Sequence, residues 1–268
     1  QQLLVALRSP TPLNGLLSGD TGTGKTLPFV ILGVAAQMSG AKVAVISPTE
    51  ILANQVAANI QRRFPQAKVE RVFAGKKIQD DSAILVGTSG LNGVAKKQGY
   101  LPNFLVIDEQ HKLSTGDRSS MLGPWTHQLE ASATPIPRSL ANTLFSGMQV
   151  LTLTQAPVKR DVESFVFDEN NRSQIRAWLR DVVKAHNRVA VIYPKVALSE
   201  QSEQTSSAAD MQAVNSVNDA ALALEKVFPD GVGKLHGKMT SEQVEATLAE
   251  YRSGKKRVVV ASTIMETG

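Results

Sequence analysis

Short runs rich in Val, Ile and Leu alternate along the chain with longer amphipathic stretches. In the first half the pattern predicts strands at Asn14–Ser18, Lys42–Ser47, Ala83–Val86 and Phe104–Asp108, and helices at Lys25–Met38 and Glu50–Phe64. The strand segments are nearly continuous apolar runs, as expected of parallel strands covered on both faces. Strands that alternate with helices of this length predict βαβ units and an α/β fold.

The pattern pauses at Gln155–Asp161, where a proline and three charges carry no period. It then restarts with a helix at Asn171–His186, a strand at Arg188–Tyr193 and a helix over Ala208–Phe228. A strand at Val232–His236, a helix at Ser241–Arg252 and a strand at Arg257–Ala261 follow. This predicts two α/β domains, 1–154 and 162–268, joined by a linker at 155–161, with the second shorter and incomplete. Leu198–Ala209 is polar and of low complexity, and reads as an exposed loop before the long helix. No internal repeat is visible.

Composition narrows the chemistry. The 268 residues suffice for about two domains, and 42% hydrophobic with 20% charged residues is an ordinary globular mix. No run approaches the ~18 apolar residues of a membrane span. With no cysteine, disulfides, thiol nucleophiles and cysteine-ligated metal centres are excluded. Four scattered histidines argue against an all-histidine metal site as well. The first residues offer neither an initiator Met nor a signal peptide, so the chain reads as a cytoplasmic fragment of something longer. A net charge of +5 is compatible with a polyanionic partner without identifying one.

The strongest chemical signal is Gly19-Asp20-Thr21-Gly22-Thr23-Gly24-Lys25-Thr26, which matches G-x-x-x-x-G-K-[ST] between a predicted strand and a predicted helix. Glycines let the backbone curl so that successive N–H groups face phosphate oxygens. The following helix adds its free N–H groups and the positive end of its dipole. Gly19, Thr21, Gly22, Thr23 and Gly24 would form the cradle. Lys25 would reach the β- and γ-phosphates, and Thr26 would offer its hydroxyl to Mg²⁺. A triphosphate motor also needs a carboxylate for magnesium and a group that positions the attacking water. Asp108 and Glu109, at the end of an apolar strand, supply both, and the strand is expected beside the one that carries the loop.

The strings DEQHK from Asp108, SPTEILANQ at Ser47–Gln55 and ATPIPRSLA at Ala133–Ala141 resemble the RecG branch of superfamily-two DNA helicases and translocases. So do LHGKM at Leu235–Met239 and ASTIMETG at Ala261–Gly268, in family order over essentially the whole chain. The resemblance implies two RecA-like parallel-sheet domains of the P-loop nucleotide triphosphatase type, the second truncated, that close over ATP and Mg²⁺. It implies an ATP hydrolase that remodels branched or double-stranded DNA and acts as a monomer without a membrane. A transcription-repair-coupling or primosomal translocase is the alternative within the class, and a nucleotide-binding regulatory module the alternative outside it.

By position, the resemblance makes Lys25, Glu109, Gln110 and His111 catalytic, the last two linking hydrolysis to the interdomain cleft and the DNA. It makes Ser132, Thr134 and Glu266 coupling residues, and sets Thr49, Thr88 and Thr263 against the DNA backbone. Ser132 and Thr134 could instead cap a strand end before a proline turn, and Thr49 could cap the helix that follows. His236 reads as a packed turn residue rather than a catalyst. Arg138 is either an interdomain or DNA contact or a solvated arginine. Lys76-Lys77, Lys96-Lys97 and Lys255-Lys256-Arg257 are basic clusters that could line a DNA groove or simply face solvent.

There are departures. Lys112-Leu113-Ser114 stands where the family usually shows Arg-Phe-Gly, and Tyr193-Pro194-Lys195-Val196 replaces Cys-Pro-Leu. This marks a divergent relative. The block that supplies an arginine to the γ-phosphate is not among these residues. Such an arginine is worth about 10³–10⁵ in rate, so these 268 residues alone are expected to bind ATP and hydrolyse it poorly.

Overall fold

The computed structural model describes residues 11–20, 22–108, 121–132, 148–154, 163–166, 171–185, 188–193, 206–229 and 231–262. The chain divides into two compact units, 1–161 and 162–268.

In the first unit the strands are β1 (Asn14–Gly19), β2 (Val43–Ile46), β3 (Val69–Val72), β4 (Ile84–Gly87), β5 (Phe104–Asp108), β6 (His127–Ser132) and β7 (Gln149–Leu153). They form one sheet in the order β3-β4-β2-β5-β6-β1-β7, with every pairing parallel. Three helices are described, α1 (Thr26–Met38), α2 (Glu50–Arg63) and α3 (Gly90–Gln98).

Strand alternation sorts the core into two layers. Val43, Val45, Phe104 and Val106 pack with Phe29 and Val34 of α1 and Val56 and Ile60 of α2 on one face. Ala44, Ile46, Leu105 and Ile107 pack with Leu91, Val94 and Ala95 of α3 on the other. The continuous apolar runs of β2, β4 and β5 are thus covered from both sides, as the sequence pattern predicts.

Two expectations require correction. The strand ending at Asp108 is not beside the strand that carries the glycine loop, because β6 lies between them and pairs with both. β6 (HQLEAS) carries polar residues at alternate positions and so lacks the apolar run that announces a buried strand. The sequence reading likewise has no β3, β7 or α3.

The second unit contains α4 (Arg172–Lys184), β8 (Val189–Ile192), α5 (Ser206–Glu225), β9 (Val232–Leu235), α6 (Ser241–Arg252) and β10 (Val258–Ala261). Its sheet is parallel in the order β8-β10-β9. Val217 and Ala221 of α5 pack against Val258 and Val260. α5 begins at Ser206, inside the stretch read as a loop, because Ser206–Ala209 is compatible with helix once the apolar face that follows is docked. Residues 198–205 lie outside the described set.

At the amino edge of the large sheet, the Leu13 N–H donates to His127 Nδ1 at 3.0 Å. Partial burial lowers the His127 pKa below its ordinary 6.5. The native state then holds fewer protons than the unfolded chain as pH falls through 6.5, so this contact's stability is complete above that value and is lost below it. Urea midpoints taken from pH 8 to pH 5 should fall more steeply for the native chain than for His127→Asn. Parallel curves would contradict the assignment.

Candidate nucleotide site at the carboxyl edge of the sheet

Because all strands of the first unit run parallel, their carboxyl ends share one edge. The register makes this level: Ser18 pairs with Ser132, Ala131 with Asp108, and Ile46 with both Ile107 and Gly87. The edge therefore gathers the loop after Gly19, Asp108, Ser132, the segment leading to Thr49, and Thr88. β1 and β5 are two strand spacings apart, roughly 10 Å. A hydrated ion and a phosphate can span that gap, whereas a direct side-chain contact cannot.

The loop itself is tight. Thr23 turns back on Asp20, its N–H and hydroxyl donating to the Asp20 carbonyl at 3.2 and 2.7 Å. Gly22 and Gly24 have φ of 79° and 86°, a region that side chains with a Cβ avoid. A Cβ on Gly19 would lie 2.7 Å from Thr23 Oγ1 and 3.0 Å from Leu153 Cβ, so the glycine is needed for packing.

Lys25 is buried, and its ammonium donates to the carbonyls of Gly19 at 2.8 Å and Asp20 at 3.0 Å. An ammonium has three donors. Two hold it inside the loop, and the third can go to a phosphate oxygen.

The helix that follows has an open N-terminus, a feature it shares with α3 and α4 but not with α2 or α6. α2 is capped by Thr49, whose side chain accepts from the Leu52 N–H, and has Glu50 in its first turn. α6 has a full capping box from Thr240 and Gln243, with Glu242 in its first turn. α1 has no side-chain cap and no acidic residue in its first turn, although Thr26 is its first residue. The Leu27 N–H already donates to the Gly24 carbonyl at 3.1 Å, and the dipole at this end favours an external anion at the loop.

Asp108, at the end of β5, is only half-buried. Among the described residues no group of three or more His, Asp or Glu side chains could hold a metal ion by itself. An ion at Asp108 would share its shell with Thr26, phosphate oxygens and water, which is how Mg²⁺ is usually held. The donors present therefore fit a magnesium triphosphate.

The remaining expected residues divide clearly. Thr49 is the N-cap of α2, yet its hydroxyl proton stays free to donate. Thr88 follows β4 and accepts the Leu91 N–H at its carbonyl. Ser132 ends β6 and is buried. His236 sits in the turn after β9, its carbonyl accepting from the Met239 N–H. Of the basic clusters, Lys96 and Lys97 fall in the last turn of α3, and Lys255 and Lys256 both pair with Glu250. Thr21, Glu109, Gln110, His111, Thr134, Arg138, Thr263 and Glu266 lie outside the described residues. The sequence reading missed two supports of the loop, the Leu153 wall against Gly19 and the carbonyl anchors of Lys25. The first arises only when β7 meets β1, and the second from the way the loop folds back on its own lysine.

A parallel α/β sheet with a glycine loop running into an uncapped helix defines the chain as a member of the large class built to grip a phosphate chain. More narrowly, a DEAD/DEAH box helicase family model matches residues 9–146, and the chain belongs to that family. It is 30% identical over its full length to the ATP-dependent DNA helicase RecG of Synechocystis, covering 33% of that protein. It is 31% identical over 96% of its length to the RecG of Acidithiobacillus ferridurans, covering 38% of it. A solved structure of RecG bound to a three-way DNA junction superposes with a TM-score of 0.66 at 22% identity, over 98% of this chain and 35% of that one. The chain thus spans about a third of the length of these relatives. The fold likeness agrees with the α/β parallel-sheet class expected from the sequence. No described helix is long and apolar enough to cross a membrane.

Proposed function

We propose that this chain is the ATP-driven motor core of a DNA helicase of the RecG type, acting on branched or double-stranded DNA. The observation that carries the reading is the convergence, on one edge of one sheet, of an uncapped helix, an anchored lysine in a glycine loop, and Asp108. Likeness to RecG proteins along the whole chain supplies the nucleic-acid side of the proposal.

In this reading the backbone of Gly19–Thr26 holds the phosphates and Lys25 gives its third N–H to the terminal ones. Thr26 and Asp108 hold Mg²⁺, which draws charge from the phosphate oxygens. Glu109 orients and deprotonates the attacking water. Gln110 and His111 report the state of that site towards the DNA. Ser132, on the strand between the loop and Asp108, is positioned to couple nucleotide state to movement, together with Thr134 and Glu266 on the motifs that follow. Thr49 and Thr88, and Thr263 in the second unit, give hydroxyl hydrogen bonds to phosphates without reading bases.

The test is ATP turnover by the intact protein, with its arginine-bearing block present, with a three-way junction, with linear duplex and with no DNA. Branched DNA should stimulate turnover most. Identical rates in all three conditions would overturn the motor reading and leave only a nucleotide-binding module.

A further inference from the structure

Ser47 is the first residue past β2, and the proline that follows it favours an extended backbone there. Its N–H donates to the Gly87 carbonyl at 2.8 Å, so the ladder to β4 runs one residue beyond the strand proper. The two-residue alternation of the sheet therefore still holds at this position. Val43 and Val45 face the layer that contains α1 and α2, and Ser47 follows them on that face. Phe104 and Val106 of β5 face the same layer, and Asp108 follows them in turn.

The register sets these side chains in one row. Ile46 pairs with Ile107, which brings Ser47 level with Asp108 on the neighbouring strand. On its other side Asp108 pairs with Ala131, and Ala131 pairs with Leu17 of the strand that carries the glycine loop. Across this row Asp108 thus has one polar strand neighbour, Ser47, and one apolar neighbour, Ala131. The short alanine leaves room for an ion and phosphates between Asp108 and the loop. Ser47 backs Asp108 from the far side.

Ser47 is 0% exposed, and its hydroxyl has no hydrogen-bond partner among the described residues. A buried hydroxyl without a bond is unfavourable, so its presence in a native fold calls for an acceptor. Gln55, Asn92 and His236 also hold buried atoms without a partner among the described residues, but none of them stands in the sheet at the level of Asp108. Neighbouring strands lie about 4.8 Å apart. A hydroxyl and a carboxylate that face the same way across that spacing can close to a bond of about 2.7 Å by side-chain rotation.

We propose that Ser47 is a positioning residue for the metal-holding carboxylate, its hydroxyl donating to Asp108 on the side away from the glycine loop. The proposal rests on the assignment of Asp108 to Mg²⁺ in the reading above. A carboxylate has two oxygens, and a bond that fixes one of them turns the other towards the ion. Outer partners of this kind orient a metal-binding carboxylate, and their loss lowers metal affinity by roughly ten- to a hundredfold.

The experiment titrates Mg²⁺ against binding of a fluorescent ATP analogue to the native chain, Ser47→Ala, Ser47→Cys, Asp108→Asn and the Ser47→Ala/Asp108→Asn pair. Alanine removes the donor, and cysteine keeps the volume with a much weaker donor. In both serine variants the magnesium concentration for half of the metal's effect should rise about tenfold. Binding in EDTA and the Tm without nucleotide should stay near native, since the hydroxyl bonds nothing in the empty site. In the double variant Ser47→Ala should add nothing to Asp108→Asn, because the two act through one contact. An unchanged magnesium curve, an additive double variant, equal loss with metal and with EDTA, or a lowered Tm in both serine variants would each overturn the proposal. Native binding indifferent to magnesium, or a full metal effect in Asp108→Asn, would instead remove the reading on which it rests.

Discussion

In the intact protein, replacing Lys25 by alanine should abolish ATP turnover while leaving the fold in place. The ammonium is held by two carbonyls of its own loop, so it is pre-aimed and its position costs nothing to organise when phosphate arrives. Removing one pre-organised donor of this kind from developing charge lowers rate by about 10²–10³. The loss should be larger here, because the lysine also neutralises phosphate charge in the bound state. Thermal unfolding should fall only modestly by comparison, because of the two carbonyls freed by the change one belongs to exposed Asp20 and only the Gly19 carbonyl is buried. Turnover of Lys25→Ala within threefold of native would contradict the assigned role.

The second large effect is structural and concerns Gly87. A Cβ at this position would lie 2.1 Å from the Val72 carbonyl oxygen and 3.2 Å from Leu91 Cβ. The first contact is with backbone, so no side-chain rotation relieves it. Gly87→Ala must therefore push β3 away from β4 or displace the start of α3. Overpacking costs typically 1–3 kcal/mol, and a backbone clash belongs at the upper end, about 3 kcal/mol. For a unit of this size that corresponds to a fall of roughly 6–12 °C in Tm. Gly93→Ala is the matched control: nothing lies within 4 Å of its added Cβ, and alanine favours helix. It should leave Tm unchanged or raise it slightly.

Much of the site was legible because its chemistry is local. Eight consecutive residues encode the loop, and an apolar strand ending in Asp-Glu announces the acidic partner wherever the strand lies in the sheet. The neighbourhood was less legible. β6 hides because Gln128 and Glu130 read as polar surface, yet both are buried, with the Gln128 amide donating to the Glu130 carboxylate. That burial is created by β1 and β5 on either side, which no window of sequence contains. α3 (GLNGVAKKQ) carries two glycines, which penalise helix by about 1 kcal/mol each. Packing of Leu91, Val94 and Ala95 on the sheet overrides that penalty. β3 (VERV) is an edge strand with charge on its open side, and so it lacks the double-sided apolar signature of its neighbours.

These gaps share a cause. Strand order depends on contacts between residues far apart in the chain, while periodicity and motifs report only on neighbours.

The most direct test of the central claim is a titration with a fluorescent ATP analogue, with Mg²⁺ and with EDTA, on the native chain, Lys25→Ala and Asp108→Asn. Tight, magnesium-dependent binding by the native chain is predicted, with binding lost in the lysine variant and the advantage of magnesium lost in the aspartate variant. Binding of equal strength in all three proteins, indifferent to the metal, would mean that the triphosphate is not held between the glycine loop and Asp108.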